Sequence, residues 1–186
     1  MRALNFATAA LGLALVAVPV VAAVKAMTLK ELMEVTTDTV HGRITAKESF
    51  RSDYPSPDVY WTRLTLQGES LRTGEPVTTQ VIFLGSHDPN DGYGTSEMPT
   101  LQDTRVGQEA VAFFFRDKQV PGEANVVFDL SGMYRVETVF GQPIVIGKGE
   151  GAAFTENIRL ADVRIAVRAT HQQILAERAA AESQAK

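Results

Sequence analysis

Short segments of period-two hydrophobicity, cut apart by Gly, Pro, Asp and Asn, constrain this chain more than any other feature. Val59 to Leu66 alternates Tyr60, Thr62, Leu64 and Leu66 against Trp61, Arg63 and Thr65. Val77 to Leu84 sets Val77, Thr79, Val81 and Phe83 against Thr78, Gln80, Ile82 and Leu84. Successive strand side chains point to opposite faces, so such runs predict half-buried strands. Thr39 to Phe50 reads the same way, with Val40, Gly42 and Ile44 on one side and Gly42 placed for a bulge or bend. Ala110 to Phe115 is the most apolar window of the central chain and predicts a central strand. In it Phe113 and Phe115 share one face and Phe114 takes the other.

Turn signals separate these runs. Arg51 to Asp58 carries Pro55, Pro57, Ser52, Ser56 and Asp53, the composition of an irregular loop, and Arg72 to Pro76 turns the chain again. Asn125 to Leu130, Met133 to Val139 and Gln142 to Ile146 are shorter extended segments divided by Ser131-Gly132 and Phe140-Gly141. Gly147 to Gly151 then breaks regular structure.

Helical patterns bracket the strands. Thr28 and Glu31 form a capping box, each side chain answering the other's free backbone N–H, so a helix over about Leu29 to Thr36 opens the domain. From about Ala161 the stripe Val163, Val167, Thr170, Ile174 predicts a second helix, whose last dozen residues have few apolar anchors and are expected to fray. Five or more short strands with a helix at each end predict a mainly β chain: a small antiparallel OB-like barrel with a short N-terminal helix and a C-terminal helix.

The first two dozen residues bear on location. Arg2 precedes an apolar run from Phe6 to Val21, and Val21-Ala22-Ala23 puts small residues where an export peptidase needs them. A spanning helix needs about 20 strongly apolar residues, whereas this run is Ala-rich and holds Gly12 and Pro19. The expectation is a signal peptide over 1–23, a barrel domain over 24–160, and a C-terminal helix and tail over 161–186. The protein is then periplasmic or secreted, a retained anchor being the alternative. Losing Arg2 and no acid leaves 17 basic residues against 22 acidic ones, moving the net charge from −4 to −5. That balance speaks against nucleic acid and anionic membrane surfaces as partners, both of which call for basic patches. There is no cysteine, hence no disulfide and no thiolate metal site.

The order Thr28-Leu29-x-Glu31-Leu32, Val40-x-Gly42-x-Ile44, Tyr60-x-x-x-Leu64-x-Leu66 and Val106-Gly107-Gln108-Glu109-Ala110-Val111-Ala112-Phe113-Phe114 is similar to a group of exported bacterial domains of uncharacterised function. Their barrel resembles the OB-type barrel of tissue inhibitors of metalloproteinases. The resemblance covers roughly Thr28 to Leu160, and its motifs are structural. It implies a barrel and, as one possible activity, inhibition of a protease. The animal inhibitors chelate zinc through an N-terminal cysteine, and no residue of this cysteine-free chain inherits that role.

Chemistry-bearing motifs are sparse. His41, His87 and His171 lie far apart and in no metal-ligand spacing. No G-x-S-x-G occurs, and Ser86-His87-Asp88 are sequence neighbours, whereas a working triad gathers its members from separate segments. Asp88, Asn90, Asp91 and Gly92 begin like a calcium loop, but position 12 would be Pro99, and Glu97 comes two residues early. A polar turn is the plainer reading, and no cofactor is expected unless calcium occupies this loop. Ile144 to Gly151 lacks both phosphate-loop spacings and carries Glu150, which repels phosphate.

Two segments remain as candidate ligand contacts. One is the long polar stretch Gly85 to Thr104, with Asp88, Asn90 and Asp91. The other is the aromatic and proline cluster Tyr54, Pro55, Pro57, Tyr60 and Trp61, which can grip peptide or glycan or can simply pack at a barrel edge. The expectation is a non-catalytic binding module acting through these loops on another envelope or extracellular protein. The alternatives are an inhibitor of an exported protease and a hydrolase using dispersed Asp, Glu or His.

Overall fold

A computed structural model describes residues 27–185 other than 89, 92, 93, 95–97, 121, 123 and 129–131. The signal-peptide expectation for 1–23 lies outside the described residues. Ten elements follow in order: α1 (Leu29–Val35), β1 (Asp38–Ser52), β2 (Val59–Ser70), β3 (Pro76–Leu84), β4 (Glu109–Arg116), β5 (Asn125–Val127), β6 (Met133–Val139), β7 (Gln142–Val145), β8 (Ile158–Arg159) and α2 (Leu160–Gln184).

Strands β1, β2, β3, β5 and β4 pair in that order, and β4 pairs back to β1, closing a five-stranded barrel of OB-like type. Every pairing is antiparallel except β3 with β5, where Val81 and Ile82 run parallel to Asn125 and Val126. Closure depends on β1 serving two partners: Asp38 to Arg43 pair with β4 while Val40 to Ser52 pair with β2. A strand can do this only if it coils sharply. Gly42 and Gly68 sit opposite each other at the tightest point, where a Cβ on Gly68 would fall 2.0 Å from the His41 carbonyl oxygen. Gly42 is therefore demanded by close approach, and the register shift expected near it falls between Ile44 and Ala46.

Beyond the barrel, β6, β7 and β8 extend the sheet from the edge that β4 shares with β5. The β6–β7 hairpin turns at Phe140 and Gly141, both at positive φ (49° and 76°), as a two-residue turn between Val139 and Gln142 requires.

Strand β4 is buried on both faces. Ala110, Ala112 and Phe114 point into the barrel against Val40, Ile44, Leu64, Leu66, Val81 and Phe83. Val111 and Phe113 face the other way, into a layer built with Tyr134, Phe154, α1 (Leu32, Met33) and α2 (Leu160, Val163, Val167, Ile174). Phe115 is half-buried beside Phe128, so it does not repeat the environment of Phe113. Fully burying one such apolar side chain is worth about 1.5–3 kcal/mol.

Both helices begin and dock as their sequences dictate. The capping box at α1 is formed, with Glu31 N donating to Thr28 Oγ1 at 3.2 Å and Thr28 N donating to Glu31 Oε2 at 2.9 Å. Its C-terminus is held by Arg72, whose Nη2 donates to the carbonyl oxygens of Met33 (3.1 Å) and Thr36 (2.9 Å). Helix α2 continues to Gln184, although Ile174 is its last buried residue. No helix among the described residues is long and apolar enough to cross a membrane.

Candidate functional site

Trp61 and Tyr54 organise a small third core on the outside of the barrel. Outward-facing residues of β2 and β3 (Val59, Trp61, Ile82) would lie bare but for the segment between β4 and β5, which folds over them and inserts Val120. Trp61 is 4% exposed, and its indole Nε1 donates to the Tyr54 carbonyl at 2.8 Å. The ring is therefore spent on packing. Half-buried Tyr54 donates its hydroxyl to Gln119 Oε1 at 2.9 Å, which ties the β1–β2 loop to the β4–β5 loop. Tyr60 is half-buried, with the Arg51 guanidinium carbon 5.9 Å from its ring centroid and Arg51 Nη2 held by Asp58 at 3.1 Å.

The long polar segment does something different from what its composition suggests. Its two ends are anchored: Ser86 is 5% exposed, Asp103 4% and Thr104 0%. Thr104 donates to the Thr100 carbonyl at 3.1 Å and accepts from Lys47 Nζ at 3.1 Å, while Lys47 Nζ also sits 3.3 Å from His87 Nδ1. Thr62 donates to the Gly85 carbonyl at 2.7 Å, and Ser86 bonds both Ser49 and Asp91. Asp103 accepts from Thr100 and lies between Arg135 (3.5 Å) and Lys148 (3.9 Å). These bonds close the barrel mouth beyond Ile44. Burial pushes Lys47 below the usual lysine range, and burial reinforced by Lys47 pushes His87 below the usual histidine value.

The candidate calcium donors are turned inward on their own loop. Asp88 Oδ1 accepts from the backbone N (2.9 Å) and the side-chain amide (2.8 Å) of Asn90. Asp91 is taken by Ser86. Among the described residues no group of three or more His, Asp or Glu is close enough to share a metal ion. The Ser86 hydroxyl meets Asp91, Ser49 and the Asp88 N–H, while His87 Nδ1 faces Lys47, so the neighbours Ser86 and His87 do not form a nucleophile–base pair.

Among the described residues, three of the surface grooves bear on the barrel. One, about 410 Å³, is lined by His41, Arg43, Glu69, Glu109 and Arg164. Here Arg164 Nη2 donates to Glu69 at 2.7 Å and lies 3.4 Å from His41 Nδ1, so burial and then the guanidinium push His41 below its usual value. A second, about 300 Å³, includes Asp38, Arg72, Glu75 and His171. The third, about 350 Å³, lies on the outer side of β2 and β3 beside the β4–β5 loop and is lined by Arg63, Thr78, Gln80, Arg116 and Asn125. Sequence reasoning missed Arg63, Arg116 and Asn125 as a group, because only the β3–β5 and β4–β5 pairings bring them together.

No protein-family model, no curated protein and no solved structure matches this chain.

Proposed function

We propose that this chain is a non-catalytic binding module whose ligand face is the outer surface of β2 and β3, under the rim formed by the β1–β2 and β4–β5 loops. One observation carries the reading: the Tyr54–Gln119 hydrogen bond joins those two loops over the Trp61 and Val120 core, and the β4–β5 loop goes on through Gly122 and Ala124 to line a groove on β2 and β3. Loops that act together on a ligand must hold a common geometry, and side-chain bonds between them lower the entropy lost on binding. By analogy of fold, OB barrels use this strand face and these loops to hold saccharides and nucleic acids. The Gly85 to Thr104 segment, whose ends are consumed in closing the barrel, takes a structural part in this reading.

The module is exported in this proposal, residues 1–23 being removed, and N-terminal sequencing of protein from the cell envelope checks it. A chain starting at Met1 and pelleting with membranes would replace export by anchorage. For the ligand face, a pull-down from envelope extract compares Tyr54→Ala with Gln119→Ala against a chain shortened between Asn90 and Met98. The rim variant loses its captured partner while the shortened chain keeps it. The opposite result moves the site to the long segment.

The protease-inhibitor alternative draws on one feature, Phe140. It is 101% exposed at the tip of a two-residue turn, a rigid apolar knob of the kind a cleft can receive. Residual activity of envelope proteases, titrated with the chain and with Phe140→Ala, decides it.

A further inference from the structure

The groove beside the β4–β5 loop differs from the other two described grooves in the charged residues that line it. The other two grooves carry carboxylates, Glu69 and Glu109 in one and Asp38 and Glu75 in the other. Among the described residues lining this one there is none, while Arg63 and Arg116 both contribute.

The donors are held in place. Arg63 Nη1 donates to Glu48 Oε2 at 3.1 Å, and its guanidinium carbon stands 4.6 Å from the Phe50 ring centroid, so ring and carboxylate fix the plane of the fork. Among the described residues its Nε and Nη2 make no hydrogen bond. Asn125 spends its amide hydrogens on Thr79 Oγ1 (3.1 Å) and the Gln80 carbonyl (3.2 Å), which leaves its own carbonyl oxygen as an acceptor. Thr78 and the Gln80 amide add a hydroxyl and a further donor–acceptor pair.

A guanidinium fork beside hydroxyls and amides complements a ligand that carries both an acid group and several hydroxyls. The groove, about 350 Å³, is far larger than one inorganic anion needs. Among the described residues its lining contains no aromatic face on which a nucleobase could stack, which disfavours a nucleic-acid strand. We propose that this groove binds an acidic saccharide, a uronic or sulfated sugar unit. Arg63 takes the acid group with Arg116 beside it, and Thr78, Gln80 and Asn125 take the hydroxyls. This rests on the reading of the outer β2–β3 face as the ligand face.

Calorimetric titration of the full chain tests it with tetragalacturonate, a heparin-derived tetrasaccharide, maltotetraose, octathymidylate and sodium sulfate. At least one acidic tetrasaccharide binds saturably, uronate and sulfate being told apart by the first two arms, and maltotetraose does not bind. Arg63→Gln weakens binding at least tenfold, and Asn125→Ala, which keeps the guanidiniums, weakens it severalfold. Failure of both acidic saccharides, or affinity indifferent to Arg63→Gln and Arg116→Gln in variants with unchanged melting temperature, overturns the proposal. So does equal binding of sulfate alone, which makes the groove a simple anion site, or tighter Arg63-dependent binding of octathymidylate. If the saccharides fail while the Tyr54 and Gln119 variant still loses its envelope partner, the ligand face stands and only its saccharide chemistry falls.

Discussion

The layer between β4 and the helices and the mouth of the barrel beyond Ile44 close the same fold by opposite means. In the layer, Phe113, Tyr134 and Phe154 stack edge to face or tilted at centroid separations of 5.1–6.1 Å, backed by Val163 and Val167 of α2. At the mouth, Thr62, Lys47, His87, Ser86 and Thr104 fill comparable positions with hydrogen bonds. The apolar closure answers to volume and is indifferent to pH. The polar one answers to the protonation and pairing of each member, because a buried donor or acceptor that loses its partner keeps its desolvation cost.

Emptying the apolar layer should give the largest effect. Phe113→Ala costs about 3–5 kcal/mol, the usual penalty for a large aromatic cavity, read from urea midpoints. Phe114→Ala, on the barrel side of the same strand, should cost as much, and Phe115→Ala clearly less because that ring is half-exposed. Equal losses at all three positions would break the assignment of two distinct buried faces to β4.

At the mouth, Thr104→Val keeps the shape but removes the hydroxyl that Lys47 donates to, and should cost about 1–3 kcal/mol in the same assay. A neutral result would show that the mouth is held by shape after all.

The third prediction separates the closures by pH. His41, His87 and His171 all have folded-state pKa values below the usual 6.5, with burial the leading cause. The unfolded chain therefore binds protons first on acidification. Their contribution is fully present above about pH 6.5 and is lost as pH falls through the folded values. Stability should decline from pH 6.5 downward, and His87→Gln should flatten part of that decline while Phe113→Ala shifts the whole curve without changing its slope. A profile unchanged by His87→Gln would remove the pH sensitivity assigned to the mouth.

Smallest of all is the tie between the helices. Lys30 Nζ meets Glu177 Oε2 at 2.7 Å on the open surface, where water and salt screen it. Glu177→Gln should shift the urea midpoint less than any change above.

Local signals were legible and distant ones were not. The capping box of α1 sits within four residues, and the alternation in β1, β2 and β3 exposes their inward faces directly. At Gly42 the sequence allows a bulge or a bend; the register shift falls between Ile44 and Ala46, and Gly42 serves the close approach to β2, two demands that look alike in a single glycine. The polar mouth was hidden in what read as a free loop: Lys47 and Thr104 are 57 residues apart, and nothing in either neighbourhood announces the pair. Likewise Arg63 reads as an ordinary outward residue of β2. Its place in a groove depends on Arg116 and Asn125, brought near by a β5 of only three residues.

The chain's single tryptophan is Trp61, and it lies in the small outer core roofed by Val120, apart from both main cores. Its emission is an optical gauge of that roof. Unfolding followed by tryptophan fluorescence will report when the β4–β5 loop lifts, whereas hydrogen exchange at the backbone amide of buried Tyr134 will report when the layer beside the helices opens. Any gap between the two curves measures how far the β4–β5 loop can come away while the barrel stays closed.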